Sequence, residues 1–282
     1  MSHIVSYKLI LNFYKKLRYN LIFLVFYKSQ QKSTVFYKII PKLLFPLSII
    51  DFKKKFIKDK YDKLYFNYPN RLYLYSRGLK YRYDSLLDEY NLKELLNLKI
   101  HRNDLIIDCG ANVGEFSRAL FKLTNNNNII CFEPDPSEFK ILEKNCDFSN
   151  LEHQMAGLSN VDDSKLFYLN NITGDSSIIS ENSFSPKITI KTLRLDNFIN
   201  KYYKDKTIGL LKIEAEGYEP EVIDGCEEVF NKIKYITIDC GPERNGETTF
   251  KEINNKLVLN NFSLINFNSI RKTLLYSNNN FI

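Results

Sequence analysis

DLIIDCGANVGEFSRAL, Asp104–Leu120, followed by IICFEPDP, Ile129–Pro136, is the stretch whose reading decides the fold. Leu105, Ile106 and Ile107 form a short uninterrupted apolar run, as in a parallel strand buried on both faces. Gly110 and Gly114 follow, where backbone must turn sharply or lie close to a ligand. Phe116, Ala119, Leu120 and Leu123 then recur at helical spacing. A second buried run, Ile129–Phe132, closes on Glu133, 23 positions after Gly110. Strand, glycine loop, helix, strand and acid in that order describe a nucleoside-binding βαβ unit. Loop N–H groups face the ligand, and a carboxylate roughly 20 residues on meets ribose hydroxyls. Asp135, Pro136 and Glu138 supply the N-cap, N1 proline and capping-box acid of the next helix.

The glycines stand four apart with Asn112 between them, so the G-x-G-x-x-G dinucleotide fingerprint is not met. Instead, D-x-G-A-N-x-G at Asp108–Gly114, F-E-P at Phe132–Pro134 and LLKIEAEGYEPEVIDGC at Leu210–Cys226 resemble the class I S-adenosylmethionine-dependent methyltransferases, and specifically the FkbM family. KTLRLDNFI, Lys191–Ile199, and YITIDCGPERNGETTF, Tyr235–Phe250, extend the resemblance from about Asp104 to Tyr276. Glu214 replaces the commoner aspartate of the third motif, adding one methylene at the same charge.

The resemblance implies S-adenosylmethionine as cofactor, bound by Asp108, Gly110, Ala111, Asn112 and Gly114 of the loop and by Glu133, Pro134 and Asp135. It also implies O-methyl transfer to a sugar or similar hydroxyl, here on a surface-glycan precursor. Asp108, ending the first strand, is placed to receive loop N–H groups or to face the amino group of the cofactor's methionine moiety. Gly157 and Leu158 are expected near adenine.

Methyl transfer requires an acceptor in line with the methyl and a group that takes the acceptor's proton. Carboxylates at the C-terminal ends of strands are the candidates: Glu214, Glu216 and Asp239. Glu216, beside Gly217, reads as the base or as an acceptor-orienting group, against a structural role capping the next helix or pairing with Lys212 or Arg244. Lys212 either orients Glu214 or binds substrate. Glu214, Asp239 and Glu243 match no recognised metal motif, so no metal is expected. Gly174–Ser177 lies in a polar insertion that either covers the acceptor or is a surface turn.

The remaining pattern fits a doubly wound α/β sheet of Rossmann-like, class I methyltransferase type. Leu151–Ala156, Ile208–Ile213 and Tyr235–Ile238 read as further core strands, and Lys165–Leu169 with Lys187–Leu193 as an inserted pair. Val222, Ile223, Cys226, Val229 and Phe230 form one helical stripe, and Glu252–Leu259 is a further helix by pattern. Phe262–Phe267 and Thr273–Tyr276 give a strand-turn-strand finish, hence an antiparallel C-terminal edge.

Charge is uneven. Residues 1–100 carry 20 Lys and Arg against 7 Asp and Glu, and the remainder 20 against 26. Residues 1–50 contain no acid, and 13 of the 19 tyrosines fall in the first hundred positions. Residues 1–90 are therefore read as a basic, aromatic-rich, mainly helical extension, and residues 91–282 as the methyltransferase domain. Ile10, Phe13, Tyr14, Leu17, Leu21 and Leu24 follow helical spacing. Leu21–Tyr27 is too short to span a bilayer and lacks a cleavage site. A cytoplasmic protein is expected, residues 1–60 suiting either peripheral attachment to an anionic inner leaflet or, by their helical stripe, a cap on the domain. The same arm also suits RNA, the basis of an alternative reading as an RNA methyltransferase; a non-catalytic nucleoside-binding scaffold is another. Five cysteines without close pairing or finger spacing, and three scattered histidines, argue against disulfides, zinc and a triad.

Overall fold

The computed structural model describes residues 45–93, 98, 100–126, 128–148, 151–170, 175–179 and 186–281. The helical stripe from Ile10 to Leu24 and Gly174 lie outside them. The chain forms two compact units that divide between Tyr83 and Asp84.

In the first unit, strands β1 (Ile49–Asp51), β2 (Phe56–Lys58) and β3 (Lys63–Tyr65) make an antiparallel meander. A 3-10 helix, Pro69–Tyr75, follows, and then α1 (Leu79–Glu89), which begins in this unit and ends in the next. Ile57 and Leu64 turn inward onto Phe45, Phe52, Phe66, Leu72, Tyr75 and Leu79. Asp59 tightens the second turn by accepting the Tyr61 and Asp62 N–H groups, and it caps α1 through the Leu79 N–H at 2.7 Å. The mainly helical expectation thus needs correction for residues 49–65. Strands of three residues are too short to show alternation against a lysine- and tyrosine-rich background.

The second unit is built on a seven-stranded sheet. Its strands are β4 (Leu105–Cys109), β5 (Ile129–Phe132), β6 (Glu152–Gln154), β10 (Ile208–Ile213), β11 (Ile233–Asp239), β12 (Phe262–Asn268) and β13 (Thr273–Asn278). They lie in the order β12-β13-β11-β10-β4-β5-β6. From β6 to β11 neighbours run parallel, whereas β13 is antiparallel to both β11 and β12. This is the expected doubly wound α/β sheet with its antiparallel C-terminal edge. Every residue of β4, β5 and β10 is buried, because helices cover both faces.

Helices α2 (Glu115–Thr124) and α3 (Pro136–Asn145) follow β4 and β5. Asp135 caps α3 by accepting the Ser137 N–H, with Pro136 at its first position, as the sequence indicates. A small sheet of β7 (Gly157–Leu158), β8 (Asp163–Tyr168) and β9 (Lys187–Leu193) is the inserted pair plus one short strand. Then α4 (Leu195–Tyr202) packs Phe198 edge-on against Phe132 at 5.3 Å.

The stripe from Val222 to Phe230 is not one helix. It breaks into α5 (Glu219–Asp224) and a 3-10 turn, Glu227–Lys232. At Gly225 a side chain would stand 2.0 Å from the Ser159 carbonyl oxygen, and the Gly225 carbonyl accepts the Asp196 N–H. A last helix, α6 (Phe250–Leu259), precedes the closing hairpin.

Candidate active site

The glycine loop is tied to the tip of β5. Gly110 and Ala111 both donate their N–H groups to the Phe132 carbonyl at 3.0 Å. Gly110 has φ 72° and faces the Glu214 carbonyl so closely that a Cβ would lie 1.9 Å from its oxygen. Asn112, at φ 50°, donates its N–H to Glu133 Oε2 at 2.7 Å. Gly114, at φ 83°, begins α2 against Cys146 and Leu142.

Glu133 is 5% exposed, and its second oxygen, Oε1, accepts the Asp135 N–H at 2.8 Å. Burial pushes its carboxyl up to about 8, despite the two backbone donors. Each oxygen keeps lone pairs beyond the one N–H it accepts, so a vicinal diol fits here. The close backbone approach at Gly110 and this carboxylate are together suited to a ribose.

Asp108 is used differently from one expectation. The loop N–H groups go to the Phe132 carbonyl and Glu133, while Asp108 Oδ2 accepts the Ser117 hydroxyl at 2.7 Å and Oδ1 pairs with Lys212 at 3.1 Å. Gly157 and Leu158 are buried in β7; Pro134 packs beside Gly157.

The other half of the site is acidic. Lys212 is 1% exposed; its ammonium reaches Asp108, Glu214 at 3.3 Å, and the Cys109 and Gly110 carbonyls at 3.2 and 2.8 Å. Burial alone would lower its pKa, but Asp108 and Glu214 outweigh that and hold it above the usual lysine value. An ammonium has three protons and here four acceptors, so Lys212 orients the loop and Glu214 and has no proton left for substrate.

Glu214 also accepts the hydroxyl of Tyr90. Tyr90 is 1% exposed, stacks edge-on against Phe116 at 5.2 Å, and is anchored where the Thr237 hydroxyl donates to its carbonyl at 2.7 Å. Burial, then Glu214, raises the Tyr90 pKa far enough that it remains a donor.

Glu216 sits at φ 49°, a left-handed conformation uncommon for a side chain of its size. Burial comes first in raising its pKa, followed by Glu214, Asp175, Glu243 and Glu219. Among the described residues its carboxylate has no hydrogen-bond partner, and it pairs with neither Lys212 nor Arg244. Nor does it cap α5, whose N-terminus has no side-chain cap; the turn before that helix is tied by Glu219, whose Oε1 accepts the Ala215 and Gly217 N–H groups at 2.9 and 3.2 Å. Asp239 accepts the Gly241 N–H at 2.9 Å; burial, with Glu214 and Glu243, lifts its carboxyl to about 7. Among the described residues no group of three or more His, Cys, Asp or Glu is arranged to hold a metal.

The polar insertion crosses between the halves. Ser177 donates to the Glu216 carbonyl at 2.8 Å, and Ser176 lies 3.5 Å from Asp135 Oδ2.

Against known families, residues 108–264 match the methyltransferase FkbM domain. The chain belongs to the FkbM methyltransferase domain family. The matched segment begins on Asp108 and takes in the loop, Glu133, the insertion and the acidic strand tips. Methyltransferase sdnD of Sordaria araneosa is 27% identical over 159 residues, covering 45% of this chain and 61% of its own. Hexuronic acid methyltransferase AglP of Haloferax volcanii is 24% identical over 163 residues, 56% of this chain and 65% of its own. The chain thus spans less than two thirds of either relative. The crystal structure of methyltransferase FkbM from Methylobacillus flagellatus aligns at 16% identity and TM-score 0.46, covering 76% of this chain and 56% of that one.

Two residues of this FkbM site lie outside the matched segment: Tyr90 and Arg271. Arg271, on the turn between β12 and β13, lies 3.6 Å from Glu89 and acts electrostatically on Glu214, Tyr90 and Asp239. Sequence reasoning left Tyr90 among many similar tyrosines, and nothing marked it out. Glu219 did carry a signal, the E-G-x-E spacing that lets its carboxylate fold back over the Gly217 turn.

Proposed function

We propose that this FkbM domain transfers a methyl group from S-adenosylmethionine to a hydroxyl of a sugar, with Glu216 taking the hydroxyl proton. The observation that carries this reading is the contrast of two carboxylates at strand tips of one sheet: Glu133, held by loop N–H groups, and Glu216, without a hydrogen-bond partner among the described residues and pushed up in pKa.

Glu133, the Gly110–Asn112 loop and Asp135 would hold the cofactor through its ribose. When bound, the cofactor supplies an electrophilic methyl on a sulfonium. Glu216 accepts the proton as the acceptor oxygen becomes nucleophilic, and its raised pKa makes it a stronger base than an exposed carboxylate. Glu214 is fixed by Lys212 and Tyr90 and shapes the wall behind the acceptor. Asp239 adds a second acceptor of hydrogen bonds for a polyol.

The likeness to the Haloferax hexuronic acid methyltransferase supports a sugar acceptor. Glu214, Glu216, Asp239 and Glu243 offer oxygens that accept hydrogen bonds from the hydroxyls of such an acceptor.

The test is labelled-methyl transfer from S-adenosylmethionine into fractionated cell-envelope and glycan-precursor extracts, beside Glu216→Gln. Label in a glycan fraction that falls at least about a hundredfold with Glu216→Gln supports the reading. Calorimetry showing no heat with either S-adenosylmethionine or its demethylated product overturns it.

A further inference from the structure

The first unit presents a sheet face that the methyltransferase reading does not use. Strand register places Ile49 opposite Lys58 and Lys58 opposite Lys63, with Phe56 opposite Tyr65 on the same side. The reverse side is the buried one, formed by Ile50, Ile57 and Leu64. Ile49 is 68% exposed and nearby Leu47 65%.

The surrounding charge is positive and uncompensated. Residues 51–63 hold six lysines and three aspartates. The aspartates are occupied locally: Asp51 accepts the Lys54 N–H, Asp59 the Tyr61, Asp62 and Leu79 N–H groups, and Asp62 the Lys63 N–H and Tyr83 hydroxyl. Among the described residues the ammonium groups of Lys53, Lys54, Lys58 and Lys60 have no carboxylate partner. Residues 1–50 add eight cations and no acid.

We propose that this face, with the Lys53–Lys55 turn, docks on an anionic phospholipid surface, Ile49 and Leu47 entering the headgroup boundary while the lysines meet the phosphates. Cations around exposed aliphatic side chains are the composition such a surface selects. Single-stranded RNA is the competing polyanion, and the rings argue against it. Lys63 lies over Phe56 at 4.5 Å and Tyr65 at 4.6 Å, and donates to the Tyr65 hydroxyl at 2.7 Å. The two rings meet edge to face, so neither offers an open platform for stacking a base. No helix among the described residues is long and apolar enough to cross a membrane.

The test is co-sedimentation of the full chain with vesicles of phosphatidylcholine alone and of equal parts phosphatidylcholine and phosphatidylglycerol, at low and high salt. Binding is expected to the anionic vesicles only, and to weaken with salt. The triple variant K53E/K54E/K58E should reduce partitioning at least about tenfold, and Ile49→Asp several-fold, with circular dichroism unchanged. Equal binding to neutral vesicles, no binding, or variants that sediment like the wild type would overturn the proposal. So would salt-sensitive capture of single-stranded RNA that K53E/K54E/K58E abolishes while vesicle binding persists.

Discussion

Lys212 Nζ lies 3.1 Å from Asp108 Oδ1, between residues that are register partners on adjacent parallel strands, in a sheet that excludes water from both. Each buried charge is offset in large part by the other. Lys212→Met should therefore destabilise the domain by about 3–5 kcal/mol in urea unfolding, since it strands Asp108. Adding Asp108→Asn to it should recover part of the loss, as removing both charges of a buried pair costs less than removing one.

Three carboxyls, Glu133 at about 8 and Glu219 and Asp239 at about 7, bind protons more tightly in the fold than in the unfolded chain. Their contribution to stability is present in acid and lost as pH rises through those folded values. The ligand-free protein should therefore lose melting temperature between about pH 5 and pH 8, and Glu133→Gln should flatten that slope in scanning calorimetry.

Binding of a ribose to Glu133 needs the ionised form, so the linkage runs the other way for the cofactor. Affinity for demethylated S-adenosylmethionine should rise as pH increases toward 8, by up to about tenfold per pH unit. Titrations at neutral pH in buffers of different ionisation enthalpy should show proton release. Affinity independent of pH would contradict the assignment of Glu133.

Tyr90→Phe removes one hydroxyl and keeps the ring against Phe116. Glu214 then loses a partner while Lys212 remains. The expected result is unchanged cofactor affinity with methyl transfer reduced about tenfold, because the wall facing the acceptor loosens and the ribose side does not. A fall in both would place Tyr90 in the core of the fold and not in the alignment of Glu214.

Two glycines at positive φ separate strain from collision. Gly246, at φ 81°, has nothing within 4 Å of an added Cβ, so Gly246→Ala should cost about 1–2 kcal/mol from backbone strain alone. Gly110→Ala adds a contact at 1.9 Å with the Glu214 carbonyl and should cost more, with the loop displaced from β10. Thermal melts of the two variants measure the difference.

The part of the site legible in the sequence was the part made by consecutive residues. The apolar run, the positions of Gly110 and Gly114, and Glu133 at a strand end are each fixed by local rules, and the structure brings them together. The buried strands and the closing hairpin were readable for the same reason. Lys212 stayed ambiguous because its role depends on Asp108 and on two carbonyls of a loop about a hundred residues away. Tyr90 stayed hidden because its partner is 124 positions distant. The meander of residues 49–65 was missed because each strand is too short to establish a period.

The placement of β13 has a consequence for how the molecule is made. Because this strand inserts between β11 and β12, the flank of β11 stays open as a row of unsatisfied amides until residues 273–278 have left the ribosome. Completion of the sheet thereby waits on residues 273–278, and a nascent polypeptide stalled before Thr273 carries a bare edge on which chaperones, or other stalled copies, can act.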